Sequence, residues 1–321
     1  MKIKNCFFTN KINVVLLALL VSALWGTLYP MIKVGYAAFA IDTKSVASII
    51  LFAGLRFFIS GVILIAFFSA RDKKIDLPSK GALSAIIVIS LFTVVLQYIL
   101  TYTGISMIES SKSSILKQIG FLILPAVMFL FRRDERFSIF KVLGALVGFC
   151  AVIILNLKGM NLAFGLGEIL VILSSFVSAI GQIFSKHYYR TVSPTQVVAW
   201  GQLLGGGFMI VVGLVFGGKM GKVDLEGILV LGYMCGASIC ANLIWNTLIK
   251  YNDMSSLAVL KSADPLFASI FSALLLAESI LSVRFLVALV LILIAIGLCN
   301  FNPMRKQKTI NSTEQTQDLT N

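Results

Sequence analysis

The chain has 321 residues, 58% of them hydrophobic and only 13% charged. A soluble globular domain carries roughly a quarter of its residues as charges, so that class is excluded. The formal net charge of +13 invites a nucleic-acid partner, but the placement of the basic residues along the chain gives it a different meaning.

Apolar runs close to twenty residues long recur from end to end, and that is the length a helix needs to cross roughly 30 Å of hydrocarbon. In chain order they cover 13–36, 46–69, 82–103, 110–131, 139–156, 165–186, 194–216, 227–249, 256–277 and 283–301. Lipid offers no hydrogen-bond partners to a backbone, so such runs must be helices. The expected fold is an all-α polytopic membrane protein with ten transmembrane helices, between short tails at 1–12 and 302–321. With the N-terminus inside, seventeen Lys and Arg fall in cytoplasmic segments and six in outside segments. This bias puts both termini in the cytoplasm of an inner-membrane protein. The excess positive charge is then an orientation signal, and no nucleic-acid partner is expected.

Two local patterns are misleading. Residues 1–23 look like a signal peptide, but the apolar segment runs on past Trp25 and Gly26. GLVFGGK, from Gly213, begins like a phosphate loop, yet Met220 stands where Ser or Thr is needed and the preceding segment is a membrane helix. The five cysteines form no CxxC pair and His187 is the only histidine, so no metal and no other cofactor is expected beyond a coupling proton.

The fourth and ninth runs can be superposed at an offset of 144 residues. Lys117 then meets Lys261, Leu116 meets Leu260, Leu122 meets Leu266 and Asp134 meets Glu278. At an offset of 146, Arg56 of the second run meets Gln202 of the seventh, and Gly61 meets Gly207. Runs one to five and six to ten also share lengths and loop spacings. The expectation is two five-helix repeats, 13–156 and 163–301. Five is odd, so the second copy is inverted. Inverted repeats are a mark of secondary transporters, with the substrate site near the midplane where the copies meet.

Four stretches carry a resemblance to a known family: SALWGTLYPMIK from Ser22, FAGLRFFISG from Phe52, DERFSIFKVLG from Asp134 and DPLFASIFSALLLAE from Asp264. Together, in this order and spacing, they resemble the EamA-like group of the drug/metabolite transporter superfamily over residues 13 to 301. The resemblance implies a metabolite carrier, often an exporter of amino acids or related compounds. The sequence departs from the pattern at Phe121, where the second copy has Pro265, and at Ile180, where the first copy has Trp25.

Charges inside a span are costly and need a reason. There are four cations, Lys33, Arg56, Lys117 and Lys261, against one deep acid, Asp264. Lys33 is near a span end and is read as snorkelling to the headgroups. Lys261 and Asp264 are three apart on one helix face; they either neutralise each other or act as a switchable pair on the substrate path. Pro265 predicts a helix break beside them, whereas Gly120 and Phe121 give no such signal in the first copy. Lys117 faces either the cavity or the headgroups. Arg56, which keeps its charge, is held by backbone carbonyls and the span-nine acid or faces the cavity. The remaining substrate-binding candidates are Gln118, Trp25, Tyr29, Gln97, Tyr98, Asn242, Trp245 and Asn246, with Ser178, Gln182, Trp200 and Gln202 in the wider set of cavity-lining groups.

The function expected is secondary active transport, by alternating access, of a small metabolite such as an amino acid or related carboxylate. Export is the expected direction. The partners are that small molecule and the lipid bilayer, with a homodimer as an option. Two alternatives stay open: efflux of amphipathic drugs, and a transport-inactive membrane sensor or partner subunit with a collapsed cavity. No residue set suggests an enzyme.

Overall fold

The structure is a computed structural model and describes residues 7–73, 75–120, 139–158, 161–162, 165–252, 257, 260–261, 263–278 and 282–300. Asp134, Phe121, the loop around Asp134 and the tail after 301 lie outside the described residues. The regular structure among the described residues is helical apart from a two-residue antiparallel ladder, Leu157–Lys158 (β1) with Asn161–Leu162 (β2). We number the helices α1 (Lys11–Ala38), α2 (Val46–Asp72), α3 (Lys80–Met107), α4 (Ser110–Lys117), α5 (Ile139–Asn156), α6 (Leu166–Tyr188), α7 (Pro194–Val215), α8 (Leu225–Tyr251), α9 (Asp264–Leu276) and α10 (Val283–Asn300). Six of these, α1, α2, α3, α6, α7 and α8, are long and apolar enough to cross a membrane. The protein is a multi-pass membrane protein. The other four expected spans contain α4, α5, α9 and α10.

Local sequence explains where the helices start. Asn10, Ser45, Ser79, Ser193 and Asp224 each accept a hydrogen bond from a backbone N–H in the first turn of α1, α2, α3, α7 and α8, supplying a donor-rich helix end with an acceptor. Pro194 follows its cap directly, where its missing N–H costs nothing. Helix α3 is interrupted by a π-helical stretch, Leu91–Leu96.

The polarity of the molecule is inverted relative to a soluble protein. Leu16, Phe67, Val211, Leu229, Leu274 and Val290 are exposed on six different helices, while Arg56, Lys117, Gln118, Lys261 and Asp264 are buried. Such a surface suits hydrocarbon, and the buried polar groups need internal partners.

The helices are held by close approach at small residues. Helices α2 and α7 cross through four glycines. Gly54 lies on Met209 and Ile210, Gly61 on Leu203, Gly206 on Phe57 and Phe58, and Gly213 on Leu51. A Cβ at any of the four would run into the facing backbone, so the crossing admits no larger residue without separating the helices. Gly213, part of the apparent phosphate loop, is thus a packing residue within α7. Gly201 and Gly205 approach Ser90 and Val94 of α3. Helix α1 packs on α8 and α9, α6 packs on α3 and α4, and α5 packs on α10. Trp25 touches both of the larger apolar clusters, one built on Val14, Ile86, Val197 and Leu248, the other on Ile49, Phe52, Phe57 and Met209.

One carboxylate ties three helices together. Ala277, after the end of α9, adopts the left-handed conformation with φ 52°. Beyond it, Glu278 reaches the start of α4 and accepts hydrogen bonds from the Ser110 N–H (2.8 Å), the Ser111 N–H (3.0 Å) and the Ser111 hydroxyl (2.8 Å). The Lys33 ammonium of α1 donates to the same carboxylate at 3.2 Å. Lys33 is therefore a structural partner and not the snorkelling side chain expected from its place near a span end. An anion at a helix N-terminus is favoured by the unpaired N–H groups and the dipole. Burial alone would raise the Glu278 carboxyl, but the Ser111 and Ser110 N–H groups, the Ser111 hydroxyl and Lys33 outweigh it and hold it below the ordinary glutamate range.

The sign of the pH effect follows. A carboxyl depressed in the folded state contributes stability that is complete above its unfolded value, about 4.3, and is lost as pH falls through the lower folded value. Glu278→Gln should lower stability in detergent by on the order of 2 kcal/mol at neutral pH and should flatten the loss of thermal midpoint below about pH 4. Parallel thermal melts of the two proteins across that range check both.

Candidate functional site

The helices enclose a cavity of about 870 Å³, counting its open mouth. Lining it are Trp25, Leu28, Tyr29 and Ile32 of α1, Arg56 of α2, and Thr93, Gln97, Tyr98, Thr101 and Ile105 of α3. The rest of the wall is Lys117 and Gln118 at the end of α4, Ser178, Gln182 and Ser185 of α6, and Asn242, Trp245, Asn246 and Ile249 of α8. Lys261 and Asp264 also line it. All twelve residues named as substrate-binding candidates from sequence thus meet at one cavity; their role there is a separate question. Trp200 and Gln202 do not line it. Trp200 donates its indole N–H to the Asp76 carbonyl at 3.1 Å, and Gln202 is buried elsewhere on α7.

Arg56 is fully buried. Its Nε donates to Ser238 Oγ at 2.8 Å, its Nη2 also donates to Ser238, and its Nη1 donates to the Tyr102 hydroxyl. Its guanidinium lies 4.9 Å from the Phe57 ring centroid and 5.8 Å from those of Tyr98 and Tyr102. The cation is held by two hydroxyls and three ring faces. Of the two sequence alternatives, Arg56 faces the cavity, and hydroxyls and rings hold it in place of backbone carbonyls and the span-nine acid. Arginine suits such a place because its planar, weakly hydrated head both stacks and forks.

The Lys117 ammonium donates to Thr101 Oγ1 at 2.8 Å and Ser174 Oγ at 2.7 Å. It is 9% exposed and points into the bundle, not to the headgroups. Lys261 and Asp264 form an ion pair. The Lys261 ammonium also stands 3.4 Å from the Trp25 ring centroid and 5.2 Å from that of Trp245. The two indoles meet edge to face, with centroids 5.5 Å apart. Among these lining groups three are basic and one is acidic.

Both lysines stand where a helix is interrupted. Helix α9 starts at Asp264, with Pro265 in its first turn. Helix α4 ends at Lys117, and Gln118 closes it with a 3.0 Å bond from its N–H to the Ile115 carbonyl. The interruption therefore occurs beside both lysines, although only Lys261 has a proline nearby in the described residues to signal it. A cation in the last turn of α4 and an acid in the first turn of α9 each complement the local helix dipole.

Several lining groups carry polar atoms that have no hydrogen-bond partner among the described residues: Trp25 Nε1, Gln118 Oε1, Gln182 Oε1 and Asp264 Oδ1. Buried polar atoms rarely go unpaired without a reason, and one reason is a ligand that supplies the partner.

The residues missed from sequence are hydroxyl-bearing: Ser238, Thr101, Tyr102, Ser174, Thr93 and Ser185. Their signal is helical periodicity. Thr93, Gln97, Thr101 and Ile105 recur at four-residue steps on α3, and so do Ser174, Ser178 and Gln182 on α6. On α8 the steps are Ser238, Asn242 and Asn246, where each side chain donates to the carbonyl four residues back. Extending each stripe from its known polar member by one turn finds most of them.

The sequence profile of the EamA-like transporter family matches residues 12–157 and again residues 165–301. An uncharacterized transporter of Archaeoglobus fulgidus is 26% identical over 281 residues, which is 86% of this chain and 82% of that protein. The uncharacterized transporter YoaV of Bacillus subtilis is 26% identical over 208 residues, 64% of this chain and 68% of that protein. A solved crystal structure at 17% identity superposes with a TM-score of 0.65, covering 89% of this chain and 98% of that one; that likeness is one of fold.

If Ser238 and Tyr102 carry the Arg56 charge, Ser238→Ala and Tyr102→Phe should each destabilise the protein by about 1–3 kcal/mol, by stranding a guanidinium donor. The double variant should cost measurably more or less than the sum, because both hydroxyls serve one cation. Thermal melts in detergent over the four-protein cycle read the coupling.

Proposed function

The chain belongs to the EamA-like transporter family, a group of membrane transporters of the drug/metabolite type, and from that premise we propose that it is a secondary carrier for a small metabolite bearing a carboxylate or similar anionic group, with amino acids among the substrates that fit. The observation that carries the proposal is the charge of the cavity. Arg56 and Lys117 are each held by hydroxyls, not carboxylates. Taking a cation out of water without a counter-ion is costly, and an anionic substrate removes that cost when it binds. The unpartnered acceptors at Gln118, Gln182 and Asp264 suit an amine on the same molecule.

In this proposal the chain spans the inner membrane ten times, with both tails cytoplasmic, as two inverted five-helix repeats at 13–156 and 163–301. The double match to the family profile supports that division. So does the packing. Exchanging α1 to α5 with α6 to α10 turns the contacts of α1 with α8 and α9 into those of α6 with α3 and α4. The same exchange leaves the α2–α7 and α5–α10 contacts unchanged. A site formed by broken helices at the meeting of two such repeats suits alternating access. Transport out of the cell is the proposed direction, with Asp264 the candidate for proton coupling.

An open cavity counts against a transport-inactive sensor, for which a collapsed one is expected. The surplus of cations counts against efflux of lipophilic cations.

In proteoliposomes loaded with a pool of metabolites, Lys117→Ala and Lys261→Ala should each reduce counterflow of the transported acid at least tenfold at wild-type protein levels. Full activity in both variants would remove these residues from the substrate site. Dependence of export on aromatic residues alone would favour drug efflux.

A further inference from the structure

The ion pair of Lys261 and Asp264 sits in unusual company for a simple neutralising pair. The Lys261 ammonium lies 3.4 Å from the face centre of Trp25, close enough for direct cation–π contact, and 5.2 Å from that of Trp245. The two rings stand at 68° to each other. A carboxylate closes the third side through Asp264 Oδ2, while its other oxygen, Oδ1, is buried without a hydrogen-bond partner. Two indole faces at an angle plus a carboxylate are the elements of a receptor for an alkylammonium group. Here the ammonium inside it belongs to the protein.

We propose that Trp25, Trp245 and Asp264 form a cation subsite of the cavity, that Lys261 is its resident occupant in this conformation, and that Lys261 thereby sets specificity. The inference rests on this cavity being the substrate site. A simple organic cation that entered the subsite would expel the Lys261 ammonium into a cavity that already holds Arg56 and Lys117. That leaves a third cation without a counter-ion, and the exchange is unfavourable. A zwitterion brings the compensation with it: its ammonium takes the indoles and Asp264, and its carboxylate, held by Lys117 or Arg56, also pairs with the released Lys261. No covalent step or net charge transfer is involved. Lys261 therefore acts against plain amines by repulsion as much as it acts for zwitterions by attraction.

The chain is suited to a direct test, because Trp25 and Trp245 are two of its three tryptophans. In a Trp200→Phe background, intrinsic fluorescence of the detergent-purified protein reports on the two cage rings. With Lys261 present, glycine betaine should perturb that fluorescence and tetramethylammonium chloride, against sodium chloride at equal ionic strength, should not. With Lys261→Met added, tetramethylammonium should bind with a midpoint at least tenfold lower than in the Lys261 protein. Lys117→Met in the same background should show at least tenfold less gain, since it removes a cavity cation but vacates no aromatic cage. The proposal is overturned if Lys261→Met gains no affinity for tetramethylammonium, or if Lys117→Met gains as much. Should Lys261→Met fail to purify as a single species, an equal response of the Lys261 protein to tetramethylammonium and to betaine overturns it as well. Binding is read here without transport. Tetramethylammonium binding without any counterflow would leave the subsite standing and remove the carrier proposal, and counterflow without the binding gain would do the reverse.

Discussion

Removing a cation from water inside a bundle whose outer face is hydrocarbon is the constraint around which this protein is arranged. Arg56 meets it with the hydroxyls of Tyr102 and Ser238 and three aromatic faces. Lys117 meets it with the hydroxyls of Thr101 and Ser174. Thr101 and Tyr102 are consecutive residues of α3, so one short stretch of one helix holds both cations. Through them α3 is tied to α2, α4, α6 and α8. The same stretch follows the π-helical segment of α3, and π-bulges are found often at functional sites. Neutral acceptors satisfy the donors of a cation without cancelling its charge, which leaves the positive field directed into the cavity.

The two interrupted helices set their charges against helix dipoles. Lys117 ends α4 and Asp264 begins α9, so each charge lies at a helix end of complementary sign. Glu278 works at the far end of the same two helices: it starts α4 by accepting from Ser110 and Ser111 and ends α9 from the other side. A movement that parts α4 from α9 must break these hydrogen bonds, and Lys33 adds α1 to the same knot. The cavity charges and the clamp that holds their helices thus share one mechanical path.

Much of this was legible in the sequence because charge inside an apolar run is conspicuous. Lys117, Lys261, Asp264 and Arg56 are each expensive in a span, and the tryptophans and amides near them follow from helical spacing. Their partners were not legible for the converse reason. Serine and threonine are cheap in a membrane helix, since a hydroxyl can bond the carbonyl four residues back, as Ser238 does to Met234. Only their four-residue spacing from Gln97 and Asn242 marks Thr101 and Ser238 among the many hydroxyls of the chain. The glycines that matter most for packing, Gly54, Gly61, Gly206 and Gly213, are equally silent without the facing helix. Lys33 and Glu278 were visible as charges near span ends, but the pairing joins residues 245 apart. The break at Gln118 has no proline to announce it and is set by tertiary packing, with Gly120 lying on the Ser175 backbone of α6.

The central claim is that Arg56 and Lys117 hold the anionic group of a transported metabolite. A cryo-electron microscopy structure in lipid nanodiscs, with the metabolite that the protein exchanges present at saturation, tests it most directly. The expected result is ligand density in the cavity with an acidic group within hydrogen-bond distance of the Lys117 ammonium or the Arg56 guanidinium. Density confined to apolar walls, with both cations still bound only to Thr101, Ser174, Tyr102 and Ser238, would contradict it.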